Sequence, residues 1–331
     1  MAPPGSKSPT PEDVRAALHR TADRIADYLE GSERYPVLPP VEPGDVTAAL
    51  PDEAPEDPES LDDILDDYER LIEPAMTHWN HPGFMAYFVL SGIGPGVIGE
   101  ALASALHVNA MLWKSGPAPT ELEIKTCDWL RRLFGLPEGF FGHLTDTASS
   151  STLVALTAAR HRAQPEIRQR GLAAPGQAPL VVYTSDQAHS SIDKDAIVLG
   201  LGLDHVRRLP SDDTYRMDPR ALEDAVARDR HEGRLPMAVV ATVGTTSSNA
   251  VDPLPEIATI CERESLWLHV DAAYAGNAAV CPELRPHLEG WERADSIVVN
   301  PYKWLFVPMD GSVLFARNPD DLKAAFTLVP E

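Results

Sequence analysis

Four short apolar runs punctuate the second half of the chain: 180–183 (LVVY), 237–243 (MAVVATV), 266–270 (LWLHV) and 296–299 (SIVV). Unbroken runs of this length, rich in valine and isoleucine, read as strands buried on both faces. Residues 153–160, 193–199, 219–229 and 255–264 carry helical spacing between or before them. The alternation predicts an α/β fold, a mainly parallel sheet with helices on both faces. Upstream, Val14, Leu18, Ile25, Tyr28 and Leu29 recur at helical intervals after Pro11-Glu12-Asp13, which predicts an N-terminal helix. Residues 35–58 are rich in proline and acid and predict an extended connection, followed by a second helix over about 60–71. Residues 163–178 read as a helix end and surface loop. The pattern divides the chain into a disordered tail at 1–10, a helical segment at 11–81 and a large α/β domain at 82–331.

Each apolar run delivers polar residues just beyond its end. Residues 266–270 lead to Asp271, 296–299 to Asn300 and Lys303, 180–183 to His189, and 237–243 to Thr245 and Thr246. If the runs are parallel strands, these groups collect on one edge of one sheet, where open α/β folds bind ligands. A lysine, an acid, an imidazole and small hydroxyls suit pyridoxal phosphate, which needs an amine for its aldehyde and a carboxylate for its pyridine nitrogen. Its phosphate needs donors such as those at a helix start. The stretch from Asp146 to Thr152, holding Ala148 and Ser149, opens the helical pattern at 153–160 and meets that need.

Each residue alone has a plainer explanation. A lysine after a strand is usually a solvated cation, Asp271 alone could cap a turn, and hydroxyls at 147–152 are ordinary N-cap chemistry. A lone His189 is more often a hydrogen-bonded loop residue than a platform. The apolar neighbours of Lys303, namely Pro301, Tyr302, Trp304 and Leu305, would lower its pKa and favour the free amine. Their joint occurrence at strand ends carries the argument.

These residues resemble a known family. Asp271-Ala272-Ala273-Tyr274-Ala275-Gly276 after LWLHV, followed by NPYKW at 300–304, is similar to the group II pyridoxal-phosphate decarboxylases, nearest to the aromatic-L-amino-acid decarboxylases. HWNHP at 78–82, AYF at 86–88, PAPTELE at 117–123, SDQAHSS at 185–191 and ATVGTT at 241–246 extend the resemblance from about Pro11 to Glu331. It implies a fold-type-I transferase-like architecture and pyridoxal 5'-phosphate held as a Schiff base on Lys303. Asp271 would pair with the pyridine nitrogen and His189 stack on the ring. Ala148, Ser149 and Asn300 would hold the phosphate, with Thr246 and Ala273 also at the cofactor. Trp79, Tyr87, Phe88 and Val89 would line the substrate pocket. The implied reaction is α-decarboxylation of an aromatic or apolar L-amino acid by a homodimer. Aldehyde-forming oxidative deamination, or a cofactor-binding homologue with little activity, are the rivals.

Three departures from the family pattern stand out: Tyr302 where histidine usually precedes the lysine, Ser150 where an acid usually follows the phosphate-turn serine, and Val89-Leu90 where Pro-Thr is common. Family members continue through a mobile loop and a C-terminal domain beyond the position of Glu331, so a chain of this extent is expected to turn over slowly.

Composition narrows the partners. With 50 acidic against 28 basic residues the net charge is −22, which repels nucleic acid and anionic membranes. The acids crowding residues 52–67 lack the spacing of a calcium loop and read as a solvated face, so no metal is expected. Three scattered cysteines form no zinc motif or disulfide framework and suit a reducing cytoplasm. No apolar run is long enough to span a membrane. Gly94-Pro95-Gly96-Val97-Ile98-Gly99 matches a dinucleotide fingerprint between a strand-like 84–90 and a helical 100–106. No strand-borne acid follows about twenty residues on, so the nicotinamide reading is set aside.

Overall fold

The computed structural model describes residues 8–88, 90 and 92–328, which fall into two compact units, Met1–Glu100 and Ala101–Glu331. The first unit opens with helix α1, Pro11–Glu30. Thr10 and Asp13 form a reciprocal capping box at its start, and Pro11 occupies the first helical position. Helix α2, Leu61–Asp67, is capped by the Ser60 hydroxyl and runs on into a π-helical turn, Tyr68–Ile72. Polar contacts hold these pieces together. Arg20 reaches Asp62, Asp66 and Glu69, and the Arg24 Nε donates to Glu73 at 2.9 Å. Tyr35 stacks on His78 with ring centroids 4.4 Å apart.

The strand expected at 84–90 does not form among the described residues of that stretch. Tyr87 adopts a left-handed φ of 56°, which breaks an extended path, and its ring stacks on Trp79 rather than joining a ladder. The glycine-rich stretch beyond it therefore follows a loop and simply opens helix α3, Gly94–Leu106.

The second unit contains helix α4, Pro117–Leu133, and a seven-stranded sheet of β1 Phe141–Thr145, β2 Leu180–Ser185, β3 Val206–Leu209, β4 Leu235–Thr242, β5 Trp267–Asp271, β6 Ser296–Val299 and β7 Ser312–Ala316. The spatial order is β1-β7-β6-β5-β4-β2-β3. Every strand but β7 runs in one direction. Helices α5 Ala148–Ala163 and α6 Ser191–Val198 cover one face with Leu156, Ala159 and Ile192 against Val182, Val240 and Trp267. Helices α7 Pro219–His231 and α8 Leu254–Glu264 cover the other, setting Leu222, Val226 and Ile257 against Val181, Val239, Leu268 and Val270. Alternate residues of each central strand thus enter different cores, which is why the runs are apolar without a break. The expected α/β architecture is the observed one. No helix among the described residues is long and apolar enough to cross a membrane.

Candidate active site

Because β2, β4, β5 and β6 are parallel, the residues following them share one edge of the sheet. Asp271 is the last residue of β5 and is buried; its Oδ1 accepts from the Ala273 N–H at 3.2 Å. The chain after β6 turns at Asn300, and Pro301 begins a one-turn helix, Pro301–Trp304, that carries Lys303. Three bonds stitch this turn to the one after β5. Asn300 N donates to Ala273 O at 3.2 Å, Asn277 Nδ2 to Asn300 O at 2.9 Å, and Trp304 Nε1 to Tyr274 O at 2.7 Å. Burial pushes the Lys303 pKa down, and the nearby Asp271 carboxylate opposes it. An amine in that position spends more of its time uncharged and nucleophilic.

The exit of β4 packs on the same turn. Val243 N donates to Asp271 O and Ala275 N to Val243 O, at 2.8 and 3.2 Å. Gly244 has a φ of +86°, and a Cβ there would lie 2.6 Å from the Ala275 Cβ, so only glycine permits this approach. The loop then presents Thr246 exposed at its tip, while Thr245 is buried and bonds Ser248 and the Ala250 N–H. Asp252 secures the loop from below, its two oxygens each accepting a backbone N–H at 2.7 Å, from Met217 and Thr242. Desolvation raises its pKa to about 6.

Helix α5 starts with Ala148 and Ser149 as its first two residues, after Thr147 as N-cap, whose Oγ1 accepts from the Ser150 N–H. The free N–H groups of such a start bind anions. Its position is set by hydroxyl contacts: Ser151 with Thr145 at 2.6 Å, and Thr152 with His269 Nε2 at 3.2 Å. The other nitrogen of His269 bonds Ser296 at 2.8 Å. Complete burial lowers the His269 pKa to about 4, so this neutral imidazole fixes α5 against β5 and β6. His189, on the loop after β2, is exposed, with Nδ1 accepting from the Ser191 N–H at 3.2 Å.

In the first unit, Trp79 gathers three aromatic rings: Phe84 at 4.6 Å, Tyr87 at 5.5 Å and Phe88 at 6.0 Å between centroids. Val89 lies outside the described residues. The structure thus brings Asp271, Ala273, Asn300 and Lys303 into one knot, with Ala148 and Ser149 at a helix start, while His189 and Thr246 stand on exposed loops.

The residue types fit pyridoxal phosphate. A desolvated amine near a carboxylate and an anion-binding helix start are what an aldehyde, a pyridine nitrogen and a phosphate require, and the buried Asn300 amide has a donor in Nδ2 that could serve the phosphate as well. Reasoning from sequence missed His269, Asp252, Asn277 and Asp195. A polar residue inside an apolar strand, as in LWLHV, was the available signal for His269.

The family model for the pyridoxal-dependent decarboxylase conserved domain matches residues 43–331. The chain is 43% identical over 323 residues to the rat aromatic-L-amino-acid decarboxylase, covering 93% of this chain and 66% of that protein. It is 40% identical to the phenylacetaldehyde synthase of Arabidopsis thaliana, covering 97% of this chain and 66% of the relative. The crystal structure of a rice tryptophan decarboxylase with pyridoxal phosphate and tryptamine superposes with a TM-score of 0.92 at 37% identity, covering 100% of this chain and 68% of that one. The chain therefore spans just under two thirds of the length of these curated relatives.

Proposed function

From the premise that the chain belongs to the pyridoxal-dependent decarboxylase family, we propose that it takes part in removing the α-carboxyl group of an aromatic or apolar L-amino acid. The buried Lys303, on a turn hydrogen-bonded to the turn that follows Asp271, is the observation that carries this reading. When bound, pyridoxal phosphate supplies the electron sink for the bond that breaks. Lys303 offers the amine that holds the cofactor's aldehyde, and its burial favours the uncharged form in which it attaches and exchanges protons at Nζ. The Asp271 carboxylate, fixed by the Ala273 N–H, keeps a proton on the ring nitrogen. The Ala148 and Ser149 amides and the Asn300 side chain hold the phosphate. His189 covers the ring, and Thr246 contributes its hydroxyl from the loop after β4.

Trp79, Tyr87, Phe88 and Val89 are kept as the substrate-pocket residues that the family resemblance implies; such apolar residue types favour an apolar substrate side chain, because burying an unpaired second carboxylate costs several kcal/mol. We include homodimer assembly in the proposal. Leu102, Leu106, Met111 and Trp113 are exposed apolar groups of the kind an interface covers. The free cysteines Cys127, Cys261 and Cys281 accord with a reducing cytoplasm.

The test has two parts. After loading with pyridoxal phosphate, borohydride reduction and peptide mapping should place the phosphopyridoxyl group on Lys303; a label on Lys114 or Lys194 would sink the assignment. Product analysis with phenylalanine, tyrosine and tryptophan should then find amine and carbon dioxide. Aldehyde with ammonia would favour the oxidative alternative, which the 40% identity to an aldehyde synthase keeps in view. Faster turnover of glutamate or aspartate would overturn the apolar preference.

A further inference from the structure

Asn300 is almost fully buried at the end of β6, and its two amide atoms are treated unequally. Nδ2 donates to the Tyr302 hydroxyl at 3.0 Å, whereas Oδ1 meets no donor. Leaving a buried acceptor unpaired costs free energy comparable to a lost hydrogen bond. The neighbouring phenol both accepts and donates, and the two ends of an amide have nearly the same shape. Turning the amide over resolves the conflict on one side: the Tyr302 O–H then donates to Oδ1. Nδ2 moves into the position that has no partner, and there it requires an acceptor. A phosphate oxygen is such an acceptor.

We infer that Tyr302 is a positioning residue for phosphate binding, its hydroxyl setting the Asn300 amide so that Nδ2 faces the anion. The inference rests on the reading above that Asn300 belongs to the phosphate site. Two further observations agree. The Tyr302 side chain is buried, so the ring cannot swing away from Asn300. Its pKa is pushed up, first by burial and then by Asp310, with smaller contributions from Asp271 and Asp146, while the hydrogen bond from Asn300 works in the opposite direction. The phenol therefore keeps its proton at neutral pH, and it feels the charges of both Asp271, which ends β5, and Asp146, which precedes the Thr147 cap.

The test compares two ligands that differ only by the phosphate. Dissociation constants for pyridoxal 5'-phosphate and for pyridoxal are measured by absorbance on the wild type, Y302F, N300A and the double variant. Y302F keeps the ring that fills the buried space and removes the hydroxyl alone. It should weaken pyridoxal phosphate about tenfold, the effect of one well-placed hydrogen bond, and leave pyridoxal within about twofold. In the N300A background it should add nothing. Equal losses for both ligands would mean that Tyr302 acts only on the fold, and the inference would fall. Unchanged phosphate-ester affinity, or a penalty that adds to that of N300A, would also overturn it. Wild-type protein that takes up neither ligand would instead remove the cofactor reading, and this inference with it.

Discussion

Among its described residues the first unit buries Ser32, Glu73 and His78 but no apolar side chain, whereas the second buries apolar groups on both faces of its sheet. One buried carboxylate from each unit makes a contrast. Glu73 accepts from Arg24 and from the Tyr35 hydroxyl, so its charge is matched where it lies. Asp195, on α6, is also buried, but its Oδ2 meets no donor. With no buried apolar side chain among its described residues, the first unit relies on contacts such as that of Glu73, whereas the second can tolerate an unmatched Asp195 because its apolar cores dominate its stability.

The most severe way to break the comparison is to cut into the second unit's core. Phe315, on β7, is fully buried and meets Phe134 edge-to-face at 6.1 Å. Phe315→Ala should cost about 4 kcal/mol in urea-induced unfolding. Leu18→Ala, at an exposed apolar position on α1, should stay within about 0.5 kcal/mol. Comparable losses for both would show that the first unit has an apolar core after all.

The next test removes the charge that organises the first unit. Glu73→Gln keeps the side-chain shape but leaves Arg24 without its carboxylate partner. The expected loss is about 3 kcal/mol, confined to the first unit. Hydrogen exchange should accelerate across residues 11–30 and 61–72 and stay unchanged in β2 and β5. Uniform acceleration in both units would refute the division of labour.

The same contrast governs how much could be read from sequence. Strands β2, β4, β5 and β6 were legible because burial on both faces makes their residues continuously apolar. The edge strands β1 (FGHLT) and β3 (VRRL) carry exposed polar residues and gave no such signal. At 84–90 the local pattern suggested a strand, but Tyr87 and its stacking on Trp79 won over it. Asp271, Asn300 and Lys303 were legible as polar residues ending apolar runs. Asp195, Asp252 and Asn277 were not, because a single polar residue on an amphipathic helix or loop looks solvated until tertiary packing buries it. For the same reason the departure at Tyr302 was visible in the sequence while its bond to Asn300 was not.

Asp195 offers the smallest and most discriminating test, since here removing a buried polar group should stabilise the protein. Desolvation, helped by the nearby charge of Asp271, raises its pKa to about 7 from an ordinary value near 3.8. Well below pH 3.8 the carboxyl is neutral in both folded and unfolded chains and has no effect on the balance. As pH rises from 4 to 7 the unfolded chain ionises first, so this group costs the folded state progressively more, and above 7 the cost is constant. Asp195→Ala removes that cost and places a strong helix former in α6. The variant should gain about 2 kcal/mol over wild type at pH 8, and the gain should shrink toward the helix-propensity difference by pH 4. Glu73→Gln should destabilise at pH 8, so the two substitutions at buried carboxylates should move the thermal midpoint in opposite directions. A destabilised Asp195→Ala at pH 8 would mean that Asp195 is matched by a partner as Glu73 is, and a gain that does not change with pH would mean that helix propensity alone, not a buried charge, accounts for it.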